Sequence, residues 1–197
     1  MEVDDIVYAI STHINDYHDL IQFCYINQNN MRICSQPGFW IHIFNEWGLP
    51  IPEQLPTNLN EWVKEFYARY HTNDILFELS QTKSINPNFS TSGSITFYQF
   101  NHIKQELDYF IKLFKLIGID TQPYYTYLNT NHFHIEDNTL NIKQLFILYY
   151  HNIGIYRIMI DFNNTLHNKY KPSLMFNDIT LSQITTFLYN SLYDNAL

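Results

Sequence analysis

The stretch "SQPGFWIHIFNEWGLP", from Ser35 to Pro50, contains helix start and stop signals around a strongly apolar segment. Ser35 or Gln36 can cap a helix, and Pro37 fits the first turn that follows. Gly48 predicts the end of that helix. The apolar residues between these signals share one face, and they are Phe39, Trp40, Ile43, Phe44 and Trp47. So much apolar surface on one short helix predicts that it packs against other helices nearby in the chain.

Short amphipathic helices are also predicted before this stretch. A first group of apolar residues at helical spacing follows the start of the chain, and it consists of Val3, Ile6, Val7 and Ile10. A second group follows Asn15 as the predicted cap, and it consists of Tyr17, Leu20, Ile21 and Cys24. A third turn surrounds Met31, Ile33 and Cys34. Helices this short are unstable alone, so the pattern predicts a bundle.

A longer helix is predicted after the proline-rich segment "LPIPEQLP". Asn58 is its expected N-cap, Glu61 is at the capping-box position, and the helix is expected to run to about Leu79. Glu65 and Arg69 form a favourable pair four residues apart. One side of the helix is apolar and carries Leu59, Trp62, Val63, Phe66, Tyr67 and Tyr70. These aromatic residues indicate a core face rather than a stacking surface for nucleic-acid bases, which would need neighbouring positive charge.

The second half of the chain mixes strand and helix patterns. "SITFYQF" predicts a strand, and "NHIKQELDYFIKLFKLIG" predicts an amphipathic helix that ends at Gly118. "YYTYL" and "HFHIE" predict a hairpin, and "IKQLFILYYHN" predicts a buried helix that ends near Gly154. "YRIMIDF" predicts a strand with Tyr156, Ile158, Ile160 and Phe162 on one face. Thr180 and Gln183 form a capping box for a last helix, whose apolar face is Leu181, Ile184, Phe187, Leu188 and Leu192.

These patterns predict an α+β protein with two parts. Residues 1–80 form a bundle of three to four helices, and residues 95–197 form a domain of mixed helices and antiparallel strands. The segment from Gln81 to Ser94, rich in Ser, Thr, Asn, Pro and Gly, is the predicted linker or long loop.

Composition limits the possible partners. Hydrophobic residues make up 46% of the chain, which is enough for a packed core, and charged residues make up only 15%. The net charge is −8, and residues 1–60 contain seven acidic residues against Arg32 alone. Because phosphate-backbone binding needs clustered Lys and Arg, nucleic acid and anionic membranes are not expected partners. "MEVDDIVYAI" lacks the pattern of a secretory signal peptide, and no apolar run is long enough for a membrane span. A cytoplasmic location is therefore expected.

Two constellations could carry chemistry. His132, His134 and Glu136 alternate along a predicted strand, so they could present two imidazoles and a carboxylate to a metal ion. The same alternation is also typical of an ordinary solvated strand face, which is the favoured interpretation. Cys24 and Cys34 lack the CxxC spacing and occupy apolar helical positions, where a free thiol usually acts as a small hydrophobic group. No Walker loop, GxGxxG or GxSxG occurs. We therefore expect no enzyme activity, no bound metal and no cofactor.

The order of elements from Val3 to Phe44 resembles an F-box, a family module of three packed helices that docks onto the small adaptor of cullin-RING ubiquitin ligases. "DDIVYAISTHI" resembles its first helix, "NDYHDLIQFCYIN" its second, and "NNMRICSQPGFWIHIF" its end, with Phe39-Trp40 as the closing pair. Val3-Asp4 stands where the family has Leu-Pro, and Asn29-Asn30 replaces its usual basic and aromatic residues. The resemblance is nearest to the divergent F-box-like proteins of large DNA viruses.

The resemblance implies a non-enzymatic adaptor for protein–protein interaction. Its partner would be the cullin-RING adaptor protein or another viral or host protein, in the host cytoplasm or in the virion. The second half would hold the target. The residues that the resemblance assigns to partner binding are Ile6, Ile10, Leu20, Ile21, Cys24, Phe39 and Trp40. Two alternatives remain open: the same residues close the N-terminal bundle against the Trp62 helix, or the protein is a structural component of a viral particle that uses the helices as an interface.

Overall fold

The computed structural model describes residues 9, 13–14, 16–81, 95–100, 107–123, 140–164 and 173–195. Within these residues the chain forms six helices and four strands. In chain order they are α1 (Tyr17–Tyr25), α2 (Gln28–Cys34), α3 (Pro37–Glu46), α4 (Leu59–Ser80), β1 (Ile95–Phe100), α5 (Leu107–Leu116), β2 (Leu140–Tyr150), β3 (Ile155–Asn164), β4 (Ser173–Ile179) and α6 (Leu181–Asn195). Helices followed by an antiparallel sheet confirm the predicted α+β class.

The chain divides into two compact units. Unit 1 comprises residues 1–71 and 192–197, and unit 2 comprises residues 72–191. The predicted division into 1–80, 81–94 and 95–197 concerns parts that fold independently, and it stays a prediction.

In the core of unit 1, the stretch from Ser35 to Pro50 packs against the long helix α4. Phe39, Trp40, Ile43 and Phe44 of α3 are fully buried, and so are Trp62 and Phe66 of α4. The rings of Phe44 and Phe66 meet edge to face at 5.8 Å. Around them, Leu20, Cys24, Ile33, Cys34, Leu49, Leu59 and Val63 complete one apolar cluster. The predicted core role on α4 is therefore confirmed for Trp62 and Phe66, whereas Tyr67 and Tyr70 are half-buried.

The helices of unit 1 begin and end largely where the local signals predict. Asn58 Oδ1 accepts a hydrogen bond from the Glu61 backbone N–H at 3.0 Å, as expected of the cap of α4. Gln36 precedes Pro37 at the start of α3 without a side-chain capping bond. Gly48 adopts a positive φ of 63° after α3, which a residue with a Cβ adopts at a cost. The prediction of Asn15 as the cap of α1 was wrong, because Asp16 accepts hydrogen bonds from the backbone N–H groups of its first turn.

Unit 2 contains an antiparallel sheet in the order β1-β2-β3-β4. As predicted, Tyr156, Ile158, Ile160 and Phe162 of β3 are all buried. Helix α5 packs on the sheet and on α6: Phe114 of α5 stacks on Phe176 of β4 at 3.9 Å and on Phe187 of α6 at 5.5 Å.

Two predicted capping features of unit 2 are present. Gly118 follows α5 with φ 76°. Thr180 and Gln183 bond each other in both directions, with Thr180 N–H donating to Gln183 Oε1 at 3.0 Å and Gln183 N–H donating to Thr180 Oγ1 at 3.3 Å. Gln183 Nε2 also donates to the carbonyl of Ile117 at 2.8 Å, which joins the start of α6 to the end of α5.

The segment "IKQLFILYYHN" is a strand, so the predicted helix ending near Gly154 was wrong. It forms most of β2, which lies between β1 and β3. Leu145, Phe146, Ile147 and Leu148 are all buried, so both faces of the strand are apolar and the alternation that marks a strand is hidden. A continuous apolar run does not distinguish a central strand from a buried helix. The register also shifts between Ile142 and Gln144, which obscures the pattern further.

Other differences are smaller. Strand β4 was not predicted, since its pattern is broken near Asp178, a non-glycine residue with a φ of 57°. Leu181 was assigned to the buried face of the last helix, but its side chain is exposed because it opens the first turn. The predicted hairpin of "YYTYL" and "HFHIE", most of the first predicted helix and most of the Gln81–Ser94 segment lie outside the described residues.

Candidate protein-interaction site

The residues that the F-box resemblance assigns to partner binding are mostly interior. Leu20, Cys24, Phe39 and Trp40 are fully buried in the core of unit 1, and Ile21 is half-buried against it. Ile6 and Ile10 lie outside the described residues. A side chain with no exposed surface cannot contact a partner without rearrangement. The burial therefore favours the alternative in which these residues close the bundle against α4.

The exposed apolar surface of α1 and α2 lies at the corner where the two helices join. Ile26, between the helices, is 72% exposed, whereas Tyr25 and Met31 are 38% and 41% exposed. We call these three residues the corner patch. They are the exposed large apolar side chains of α1, of α2 and of the connection between the two helices.

Polar side chains fix the backbone of this corner. Asn27 caps α2, with its Oδ1 accepting from the Asn30 backbone N–H at 2.9 Å. The buried Asn30 amide in turn donates through Nδ2 to the carbonyl of Phe23 at 2.9 Å. These bonds hold the end of α1 against the start of α2. Because the chain turns within two residues, Ile26 points away from the core that both helices share.

Tyr25 connects the corner patch to α4. Its hydroxyl donates to Asn60 Oδ1 at 2.6 Å, which orients the ring at the surface. Partial burial, together with the nearby Cys24 and Cys34 thiols, raises the pKa of Tyr25 above its usual value. The phenol therefore stays neutral at physiological pH and remains a hydrogen-bond donor.

The two cysteines are buried and free, as predicted. Their hydrogen bond to each other and their burial raise the pKa of the Cys24 thiol, so it is protonated in the folded chain. A nucleophilic cysteine needs the opposite shift and access to substrate. The carbonyl of Cys34 accepts a 2.6 Å hydrogen bond from the indole Nε1 of Trp40. Both residues therefore have a packing role in this state.

His132, His134 and Glu136 lie outside the described residues. In the part of the chain that the structure describes, no three His, Cys, Asp or Glu side chains are grouped so that they could hold a metal ion. In that same part, no helix combines the length and the apolar character needed to cross a bilayer.

The corner patch was not predicted from the sequence. The residues that the F-box resemblance assigns to partner binding, such as Leu20 and Trp40, lie on the faces that periodicity predicts to be buried. The signal that could have found Ile26 is Asn27, a strong N-cap residue directly after it, which places Ile26 between two helices.

The sequence was compared with protein-family models, with curated proteins and with solved structures, and none of them matches.

Proposed function

We propose that this protein is a non-enzymatic adaptor that binds a protein partner through the corner patch of unit 1. The observation that carries the proposal is the contrast between α1 and the residue that follows it: Leu20 and Cys24 are fully buried, whereas Ile26 is 72% exposed. The core does not need these exposed side chains, and hydrogen bonds fix the backbone that presents them. A pre-organised apolar group of this kind reduces the entropy lost on binding.

The charge of unit 1 indicates which charge a partner surface should carry around its apolar centre. Asp16, Asp19, Glu46 and Glu53 are described acidic residues of this unit, and Arg32 is the one basic residue in residues 1–60. Complementary charge speeds encounter and selects partners, whereas like charges oppose it. The favoured partner surface is therefore apolar in its centre and basic around it. The F-box resemblance names the cullin-RING adaptor as the specific candidate, and residues 95–197 would then hold the target. That adaptor is acidic in the family, so the charge of residues 1–60 opposes this particular partner.

Co-purification of tagged full-length protein tests this proposal. Ile26→Asp places a charge in the patch without touching the core, and Ile153→Asp is the matched control, since Ile153 is 61% exposed in a turn of unit 2. Both variants should keep the wild-type circular dichroism spectrum. A partner lost with Ile26→Asp and retained with Ile153→Asp supports the proposal. Partners retained by both variants would contradict the role of the patch.

The identity of the captured protein separates the specific versions of the proposal. A cullin-RING adaptor would support ligase recruitment in the host cytoplasm. Capsid or other particle proteins that depend on Ile26 would support the alternative of a virion component, in which the helices act as an interface between larger subunits.

A further inference from the structure

Two exposed helix surfaces of unit 2 carry large apolar side chains that its core does not use. Phe77, in the last turn of α4, is 65% exposed, and Leu116, the last residue of α5, is 58% exposed. Both residues belong to unit 2. Removing such side chains from water stabilises a complex roughly in proportion to the apolar area that is buried. The charges around each side chain indicate what kind of partner it fits.

The surface around Phe77 is acidic. Asp74, Phe77 and Glu78 are spaced i, i+3 and i+4, so they share one face of α4. Both carboxylates are exposed, and neither takes part in an ion pair among the described residues. We call these three residues the acidic surface. An apolar ring beside two negative charges fits a partner surface that is apolar and basic.

The surface around Leu116 has the opposite charge. Lys112, Lys115 and Leu116 are also spaced i, i+3 and i+4, and both lysines are exposed. Asp108, the acidic residue of α5, lies about two turns away in the first turn of the helix. Asp120 follows the helix, and its Oδ1 accepts a hydrogen bond from the backbone two residues further on. We call Lys112, Lys115 and Leu116 the basic surface.

A second exposed leucine lies at the same end of unit 2. Leu181, in the first turn of α6, is 58% exposed. The side chain of Gln183 joins this turn to the end of α5, because its Nε2 donates to the Ile117 carbonyl at 2.8 Å. This hydrogen bond keeps the turn that contains Leu181 next to the end of α5. Leu181 therefore adds apolar area that a partner of the basic surface can cover.

The acidic and basic surfaces match in spacing and differ in sign. Each has one large apolar side chain and two like charges on adjacent turns of a helix. Phe77 and Leu116 are both exposed in the single chain, so neither covers the other and their contact needs two molecules. We propose that the acidic surface of one copy of the chain packs against the basic surface of a second copy, with Phe77 against Leu116 at the centre. Opposite charges beside an apolar contact speed encounter and select this pairing.

This contact is heterologous, because it joins different surfaces of the two copies. Each copy keeps one unused surface, so further copies add until a ring closes or an open filament forms. Two short helix faces bury little area, which makes the association weak and dependent on protein concentration. Salt screens the attraction between exposed lysines and carboxylates and should weaken the association further. The assembly uses unit 2 alone and does not depend on the proposed function of the corner patch.

Charge reversal tests the proposal in the full-length protein. The variant with Lys112→Glu and Lys115→Glu has two acidic surfaces, and the variant with Asp74→Lys and Glu78→Lys has two basic surfaces. All four substituted side chains are exposed, so both variants should keep the wild-type circular dichroism spectrum. Sedimentation velocity should show that the wild-type protein associates as its concentration rises. Each variant alone should associate at least roughly tenfold more weakly.

Mixtures of variants identify the two surfaces as partners. An equimolar mixture of the two charge-reversed variants should associate like the wild type, because every contact again joins an acidic to a basic surface. Phe77→Asp and Leu116→Asp each keep one intact surface, so mixing them should give a dimer and nothing larger. Ile153→Asp, in an exposed turn, is the control and should associate like the wild type. A wild-type protein that stays monomeric at every soluble concentration, mixtures that do not associate, or charge-reversed variants that associate as the wild type does would overturn the proposal.

Discussion

The indole rings of Trp40 and Trp62 lie parallel, with 6.1 Å between their centroids and 5° between their planes. One ring belongs to α3 and the other to α4, so this pair joins the opening stretch of the sequence to the long helix. Both side chains are fully buried. Their indole N–H groups differ: Trp40 donates to the Cys34 carbonyl, whereas the Trp62 N–H has no acceptor in the described part of the chain.

This difference predicts unequal costs for the same substitution. Trp40→Phe removes volume and a hydrogen bond, whereas Trp62→Phe removes volume and an unsatisfied donor. We expect Trp40→Phe to lower the free energy of unfolding by about 1–3 kcal/mol more than Trp62→Phe does. Urea denaturation followed by far-UV circular dichroism measures both. Equal costs would show that the bond to Cys34 contributes nothing.

The Asn30 amide provides a second prediction. Asn30→Ala removes the Nδ2 donor to the Phe23 carbonyl and leaves that carbonyl without this bond. The expected loss of unfolding free energy is about 1–2 kcal/mol. Asn29→Ala is the control, since its described contact is an exposed hydrogen bond from Arg32, and its cost should stay below about 0.5 kcal/mol. If Asn29→Ala lowers the free energy of unfolding more than Asn30→Ala does, the Asn30 amide is not what holds α1 to α2.

Tyr17 predicts how stability falls at alkaline pH. Burial, followed by the effects of Tyr67 and Tyr25, raises the pKa of Tyr17 from 10.0 to about 12. The folded state therefore holds the phenolic proton more tightly than the unfolded state does. This contribution to stability is fully present below pH 10 and is lost as the pH rises through about 12.

Tyr17→Phe removes the titrating group while keeping the ring that stacks on Phe66 and Tyr70. The variant should lose less stability than the wild-type protein between pH 10 and pH 12. Urea midpoints measured across this interval provide the comparison. If the urea midpoint falls with pH equally steeply in the two proteins, the pKa of Tyr17 is the same in the folded and the unfolded state.

Thr96 tests the packing of unit 2. Its buried hydroxyl donates to the Leu79 carbonyl at the end of α4, and its Oγ1 lies 3.1 Å from Nε2 of His151. A hydroxyl has one proton, so the His151 ring is the donor in the second contact. Thr96→Val should cost about 1–3 kcal/mol of unfolding free energy, whereas Thr96→Ser retains the hydroxyl and should cost less. A Thr96→Ser variant as unstable as Thr96→Val would assign the effect to the methyl group instead.

The signals that start a helix are local in the sequence. The start of α4 at Asn58 and the start of α6 at Thr180 were predictable, because a capping side chain and its backbone partner lie within four residues of each other. The strand β2 was not predictable by the same means. Its apolar residues at 145–148 face both sides of a sheet, and one of its two neighbouring strands, β1, comes from a distant part of the chain.

The candidate site was predictable only in part. The sequence indicated a packed helical module, and the structure confirms it. The packing of α1, α2 and α4 against one another decides which apolar residues are buried. The spacing of residues along a single helix does not reveal that packing. Leu20 and Trp40 are buried in the core of unit 1, whereas Ile26 and Met31 are exposed.

The corner patch as a contact surface is tested most directly by photo-crosslinking. A photoreactive amino acid replaces Ile26 in the full-length protein, and the same amino acid replaces Ile153 in a second sample. After irradiation in the cell where the protein is expressed, the proposal predicts a discrete crosslinked species from position 26 that is absent from position 153. Crosslinks that are equally weak and diffuse at both positions would contradict a specific partner at the corner of α1 and α2.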